Sequence, residues 1–304
     1  PLWTPYLSNG FPILAEGQIG TFYLPNLLLF RFLPLVWAYN LNLVIAFSLS
    51  GIGMYLFAGK IALSSVSSFF AAFIFTFSGF FSVHLNHFNL IQAASLLPLI
   101  FWAALLLWKK PSFKSSVLFA FFISEQIFTG HFYIVFITLV GITIFLLCMS
   151  SRAKRGDLSN ILVIASPARR DRNDNKIRLF FLSISLIITF LFSAIQLFPT
   201  IELWKLSQRA GGLDFSTVTD YPYPIKHLLS FINPYAFGNP ADGTYPAFNS
   251  EWGIFWENTA YMGILPLLLA ITGIFFLKEK RVRMFFIIFL VSLLLVPGKN
   301  SPLY

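Results

Sequence analysis

The chain has 304 residues, of which 57% are hydrophobic and only 11% charged, and its formal net charge is +9. A water-soluble domain of this size needs far more polar surface, so composition excludes one, and a mean hydropathy of +0.75 makes a lipid bilayer the main solvent. The excess positive charge lies in connections between apolar runs, which argues against nucleic acid as its partner and for membrane topology and anionic lipid head groups.

Taken in chain order, residues 1–35 form a connection rich in Pro, Gly and aromatic residues. A short helix is expected within it at Asn26–Leu33, ended by Pro34. Eight apolar segments follow, near 36–58, 64–82, 91–108, 115–130, 132–149, 179–198, 258–277 and 284–297. A spanning helix needs about 20 apolar residues. The fourth and fifth segments are parted only by Thr129-Gly130-His131, which reads as the tip of a tight helical hairpin. Unbroken apolar runs of this length predict helices and exclude a barrel. The expected fold is therefore all-α: a polytopic transmembrane bundle of about eight spans in one membrane domain covering 1–304. The segment 150–178 is polar and basic and reads as a flexible loop. The connection 199–257 instead interleaves Pro222, Pro224, Pro234, Pro240 and Pro246 with Tyr and Trp, which predicts a packed loop. Ile225, Leu228, Leu229 and Ile232 follow i, i+3, i+4, i+7 spacing there, as in an amphipathic helix lying in the interface. The lone cysteine, Cys148, sits in an apolar run and reads as a structural thiol. The chain opens at Pro1 and stops at Tyr304 just past an apolar run, so it is expected to be a fragment cut at both ends.

Sidedness follows from the charges. Sixteen of the 21 Lys and Arg fall in four connections, after the first, third, fifth and seventh segments. If the segments alternate, all four lie on one side, and excess Lys and Arg mark the cytoplasmic side. Residues 1–35, 83–90, about 131, 199–257 and 298–304 are then extracytoplasmic. All four histidines and seven of the 12 acids fall there, so any chemistry belongs to that face.

The candidates are few. His84 and His87 stand three apart and on a helix would share a face, able to meet one metal or phosphate. A polar turn between spans explains them equally simply. His131 follows Gly130 at the hairpin tip, and Glu125 lies just over a turn below, where an ionisable group in a span costs about 3 kcal/mol on insertion scales. Glu202 and Arg209 lie two turns apart past the sixth segment, where Arg is a good fork for a lipid phosphate. Glu257, followed by Asn258 and Tyr261, opens the seventh segment. It suits either chemistry or stabilisation of a helix N-terminus. Glu16 is the acid of the first connection.

Several short motifs occur in order. They are Pro1-Leu2-Trp3-Thr4-Pro5-Tyr6, Ala15-Glu16-Gly17-Gln18, Phe22-Tyr23-Leu24-Pro25, Gly53-Met54-Tyr55, Phe77-Ser78-Gly79-Phe80 and Gly130-His131. Gln196-Leu197-Phe198-Pro199-Thr200-Ile201-Glu202 and Glu257-Asn258 with Tyr261-Met262-Gly263 complete the set. In these the chain resembles the YfhO-type bacterial membrane proteins. The resemblance implies a polytopic glycosyltransferase of the GT-C type in the bacterial cytoplasmic membrane. It would move a sugar from a polyprenyl-phosphate donor to a cell-envelope acceptor on the extracytoplasmic side. It further implies a first span and a key acid of the first outer loop ahead of Pro1. The chain departs from the family's usual pattern after His131, with Phe132-Tyr133 where Pro-Gln is common. On this resemblance Glu16, Glu202 and Glu257 are the candidate catalytic acids. His84, His87, His131, Arg209 and Tyr261 are candidate substrate contacts, and Mg²⁺ or Mn²⁺ is the candidate cofactor. An outer carboxylate would deprotonate the acceptor hydroxyl while Arg209 neutralises the departing phosphate. Two other classes stay open. A transporter or lipid flippase predicts ionisable groups and broken helices at mid-membrane. A non-catalytic scaffold predicts outer acids that do not converge.

Overall fold

The computed structural model describes residues 3–7, 9–150, 172–219, 221–246 and 253–301. Most of the basic segment 150–178 lies outside the described residues. All eight expected segments are helical. Two short helices come first, α1 (Ile13–Glu16) and α2 (Leu24–Phe32), then α3 (Leu35–Lys60). The second segment is α4 (Ser65–Thr76) and α5 (Gly79–Val83), and next come α6 (Phe88–Lys109), α7 (Phe113–Phe128) and α8 (Phe132–Ser150). The chain continues through α9 (Arg172–Leu206), α10 (Phe215–Val218), α11 (Phe255–Asn258), α12 (Ile264–Gly273) and α13 (Lys280–Leu295). The helices start where their sequences cap them. Ser64 accepts the Ser67 amide at the start of α4, and Ser112 and Ser115 form a reciprocal capping box on α7.

Among the described residues, five helical segments are long and apolar enough to cross a membrane: α3, α4–α5, α6, α8 and α9. The other three expected spans are shorter. Helices α7 and α13 have 16 residues each, roughly 24 Å at 1.5 Å per residue, and α12 has 10. The sixth segment is longer than its apolar run, because α9 carries on through Pro199 to Leu206 and takes the first part of the expected loop 199–257 with it. Large apolar side chains face outwards along the bundle, as on α9, where Leu186, Ile187, Phe190, Leu191 and Ile195 are exposed. Only a lipid solvent makes such a surface stable.

Helix α6 is the centre of the bundle and is buried along most of its length. Helix α3 crosses it closely: a Cβ on Gly53 would sit 2.8 Å from Leu99, so a small residue is what allows the approach. Phe57, Phe101 and Phe145 pack edge-on or tilted at 5.5–5.7 Å between ring centres, and join α3, α6 and α8. Polar contacts fix register in this apolar interior. Gln92 of α6 donates to Asn26 at 2.7 Å and to Asn42 at 3.3 Å, and Gln126 of α7 donates to the Ala93 carbonyl at 2.9 Å. Buried amides carry a heavy penalty unless paired, so these bonds specify how α2, α3, α6 and α7 meet.

The two ends of the bundle differ in kind. At one end Lys109 donates to the Lys60 carbonyl at 2.9 Å, Arg281 donates to the Ile61 and Ala62 carbonyls at 2.9 Å each, and Arg178 lies over the Trp108 ring. The connections that the sequence groups by charge thus meet in space. The other end gathers α1, α2, the α7–α8 turn, α5 and α11. There the expected helix at 225–232 is a 3-10 helix, Ile225–Phe231. Its leucines and isoleucines face out while His227 and Ser230 are buried. The same holds for α2, which buries Asn26 and exposes Leu24, Leu27 and Leu28. Both short helices turn their apolar sides away from the protein, as helices seated in an interface do.

Candidate functional site

At the end without the basic connections, five segments bring chemistry-bearing side chains together. Helix α5 is the first support. Gly79 donates its amide to the Tyr261 carbonyl at 2.8 Å, and a Cβ there would meet that oxygen at 2.4 Å. A glycine is therefore required for α5 to dock on the strand-like stretch before α12. His84 ends α5 and is 1% exposed. Its Nδ1 lies 2.8 Å from the Phe80 carbonyl, which can only accept, so Nδ1 carries a proton. Its Nε2 has no hydrogen-bond partner among the described residues and lies 3.9 Å from Glu257 Oε1. That gap is about 1 Å too long for a hydrogen bond.

His87 caps α6, with its ring centre 5.4 Å from that of His84 and 5.2 Å from that of Trp256. His131 comes from the α7–α8 turn and lies within electrostatic reach of Glu257, His84 and His87. Burial pushes the His131 imidazole below its usual range, against the pull of Glu257. The His84 imidazole beside Glu257 holds that carboxyl below the ordinary carboxylate range against burial, with His87 and His131 adding to the effect. Glu257 is thus a carboxylate and His131 a neutral ring near pH 7. Among the described residues the ring nitrogens His87 Nδ1 and His131 Nδ1 are buried and lack a hydrogen-bond partner, like His84 Nε2.

The packed loop 215–246 braces this site from behind. Ser230 donates to the Asn258 carbonyl at 3.1 Å and accepts the Ala260 amide at 3.0 Å, so the loop is bonded to the C-terminal end of α11. Tyr235 and Tyr245 pack on Phe255, and His227 stacks on Phe237 at 4.6 Å. The aromatic content of this loop is plain in the sequence, but its role as a brace for Trp256 and Glu257 is not. The first connection closes the opposite side. A Cβ on Gly130 would lie 2.0 Å from the Gly17 carbonyl, and Gln196 of α9 donates to the Leu14 carbonyl at 2.8 Å. Glu16 therefore stands one residue from the contact with the Gly130–His131 turn, and its carboxylate accepts the Gln18 amide at 2.9 Å.

Of the candidates, His84, His87, His131 and Glu257 converge. Tyr261 contributes its carbonyl to the docking of α5. Glu202 and Arg209 are exposed at the end of α9, and no bond joins them to the cluster among the described residues. Glu125 is taken up structurally: its Oε2 accepts the Leu24 amide at 2.9 Å, across 101 positions, and so caps the first turn of α2. Among the described residues no three His, Cys, Asp or Glu side chains are close enough to hold a metal ion. The donor set of three imidazoles and one carboxylate also differs from the oxygen cage that Mg²⁺ or Mn²⁺ takes. These residues do not fit the expected ion. No protein-family model, curated protein or solved structure matches the chain.

Proposed function

We propose that this protein is a multi-spanning membrane glycosyltransferase of the YfhO and GT-C type, working on the extracytoplasmic face of the bacterial cytoplasmic membrane. The observation that carries this reading is the convergence of Glu257 with His84, His87 and His131 at the end of the bundle opposite the basic connections. A positioned carboxylate with imidazole support is what abstraction of a hydroxyl proton needs. The substrates are a polyprenyl-phosphate-linked sugar and a cell-envelope glycan.

In the proposed reaction the acceptor O–H gives its proton to the Glu257 carboxylate. The oxygen forms a bond to the anomeric carbon, which becomes cation-like. The bond from that carbon to the phosphate oxygen breaks, and its electron pair leaves with the lipid phosphate. His84, held by the Phe80 carbonyl, stands beside Glu257 with its Nε2 3.9 Å from Oε1. Arg209, exposed at the end of α9, meets the lipid phosphate at head-group level, outside the cluster. Glu16 and Glu202 are left with supporting parts in binding. Glu125, the ionisable group that most favoured a transporter, is engaged in capping α2 instead.

The test is transfer of labelled sugar from the lipid-linked donor in membranes holding the full protein. Glu257→Gln is expected to cut transfer by about 100-fold or more. Absence of donor-dependent transfer by the unaltered protein would refute the reading.

A further inference from the structure

The cluster has an unusual balance of hydrogen-bonding groups. Glu257 is an acceptor. His84 Nε2 is an acceptor whenever the ring is neutral, because Nδ1 already donates to Phe80. The two atoms face each other across 3.9 Å, too far apart to bond directly. His87 Nδ1 and His131 Nδ1 are also buried without partners. The groups that lower the Glu257 carboxyl are His84, first, then His87 and His131. Glu257 is 52% exposed, so the pair is open on the carboxylate's side.

We infer that this cluster binds the hydroxyl groups of an uncharged sugar, adjacent O–H groups donating to His84 Nε2 and to Glu257, and that it does not bind the phosphate of a donor lipid. Two facing acceptors are satisfied by a ligand with adjacent donors. A neutral diol supplies them, whereas the phosphodiester of a donor lipid brings only more acceptors and negative charge against Glu257. Trp256, beside His87, supplies the aromatic wall such sites use against a sugar ring. The lowered basicity of His131 agrees, since a neutral ring offers an anion little. The inference rests on the glycosyltransferase reading and specifies which half of the reaction the cluster serves.

The experiment is ligand-observed saturation-transfer NMR on the full chain in detergent micelles. The probes are methyl α-mannoside, methyl β-glucoside and methyl β-galactoside, with inorganic phosphate as competitor. At least one glycoside is expected to bind. Glu257→Gln and His84→Phe, checked for folding by thermal unfolding, are each expected to weaken it about tenfold or more. Phosphate is expected not to displace it. His84→Gln, which restores a polar head at that position, is expected to recover part of the binding. Displacement by phosphate, binding indifferent to Glu257→Gln and His84→Phe, or no binding by any glycoside would overturn the inference. Glycoside binding without sugar transfer in the membrane assay would keep the inference and sink the transferase. Transfer with a phosphate-displaceable cluster would do the reverse.

Discussion

Replacing Gly130 with alanine strikes the joint between the first connection and the turn that carries His131. Gly130 has φ of 76°, a left-handed conformation that costs a residue with a Cβ about 1–2 kcal/mol. The added Cβ would also lie 2.0 Å from the Gly17 carbonyl and 2.7 Å from the Gln18 Cα, both backbone atoms with no rotamer to change. Overpacking of this kind costs about 1–3 kcal/mol. The two effects together predict a loss of about 2–5 kcal/mol. At about 2 °C per kcal/mol for a chain of this size, that lowers the midpoint of thermal unfolding by about 4–10 °C. Gly211→Ala is the control, because a Cβ there meets nothing within 4 Å. The assay is thermal unfolding of both variants in the same micelles, followed by tryptophan fluorescence. Equal midpoints for Gly130→Ala and Gly211→Ala would show that the first connection does not seat on the turn, and would undo the account of how His131 is placed.

Glu125→Leu removes the acceptor for the Leu24 amide and is expected to cost about 1–3 kcal/mol, read as faster hydrogen exchange at the start of α2 than elsewhere in the bundle. In the folded protein burial lowers the basicity of His131 and His227 below the usual 6.5, so the unfolded chain takes up protons first as pH falls. Stability is therefore expected to decline on acidification through about pH 6.5, and His131→Gln should flatten that decline in a pH series of unfolding midpoints. Glu257 shifts the opposite way from an ordinary buried acid. Its stabilisation is present above 4.5 and is lost as pH drops through its lowered value, a loss that Glu257→Gln should abolish. Single cysteines in a Cys148→Ala background test sidedness. Lys110→Cys is expected to resist an impermeant thiol reagent in intact cells, and Leu213→Cys to react with it.

The sequence makes the bundle readable because lipid leaves so few options. An apolar run of about 20 residues closes its backbone bonds as a helix, and Lys60, Lys109 and Arg281 mark which ends lie together. The short elements are less legible. Ile225, Leu228 and Leu229 fit either helical period, and the prolines at 224 and 234 leave too little room for an α-helix to win. The site was legible only as a list of polar residues on one face. Glu202 and Arg209 lie two helical turns apart in the sequence, yet α9 ends at Leu206, so Arg209 falls in the turn beyond it, and both side chains are exposed. His84 and Glu257 stand far apart in the chain, and nothing local foretells that Gly79 bonds to Tyr261 and draws them together. Glu125 was open to a functional or structural use because its partner, a backbone amide, leaves no mark in side-chain chemistry.

The contacts of Arg281 with the carbonyls just past α3 bear on how the protein is made. Those carbonyls lie 219 and 220 positions earlier in the chain. During synthesis they leave the ribosome long before the cation that will satisfy them. Until then the Ile61 and Ala62 carbonyls have water and lipid head groups for partners, while Lys60 and Lys109 oppose the negative end of the α3 dipole. The early helices are thus inserted into the membrane before they are locked together. Arrival of α13 is a late assembly step, one that a ribosome stalled ahead of Arg281 would withhold.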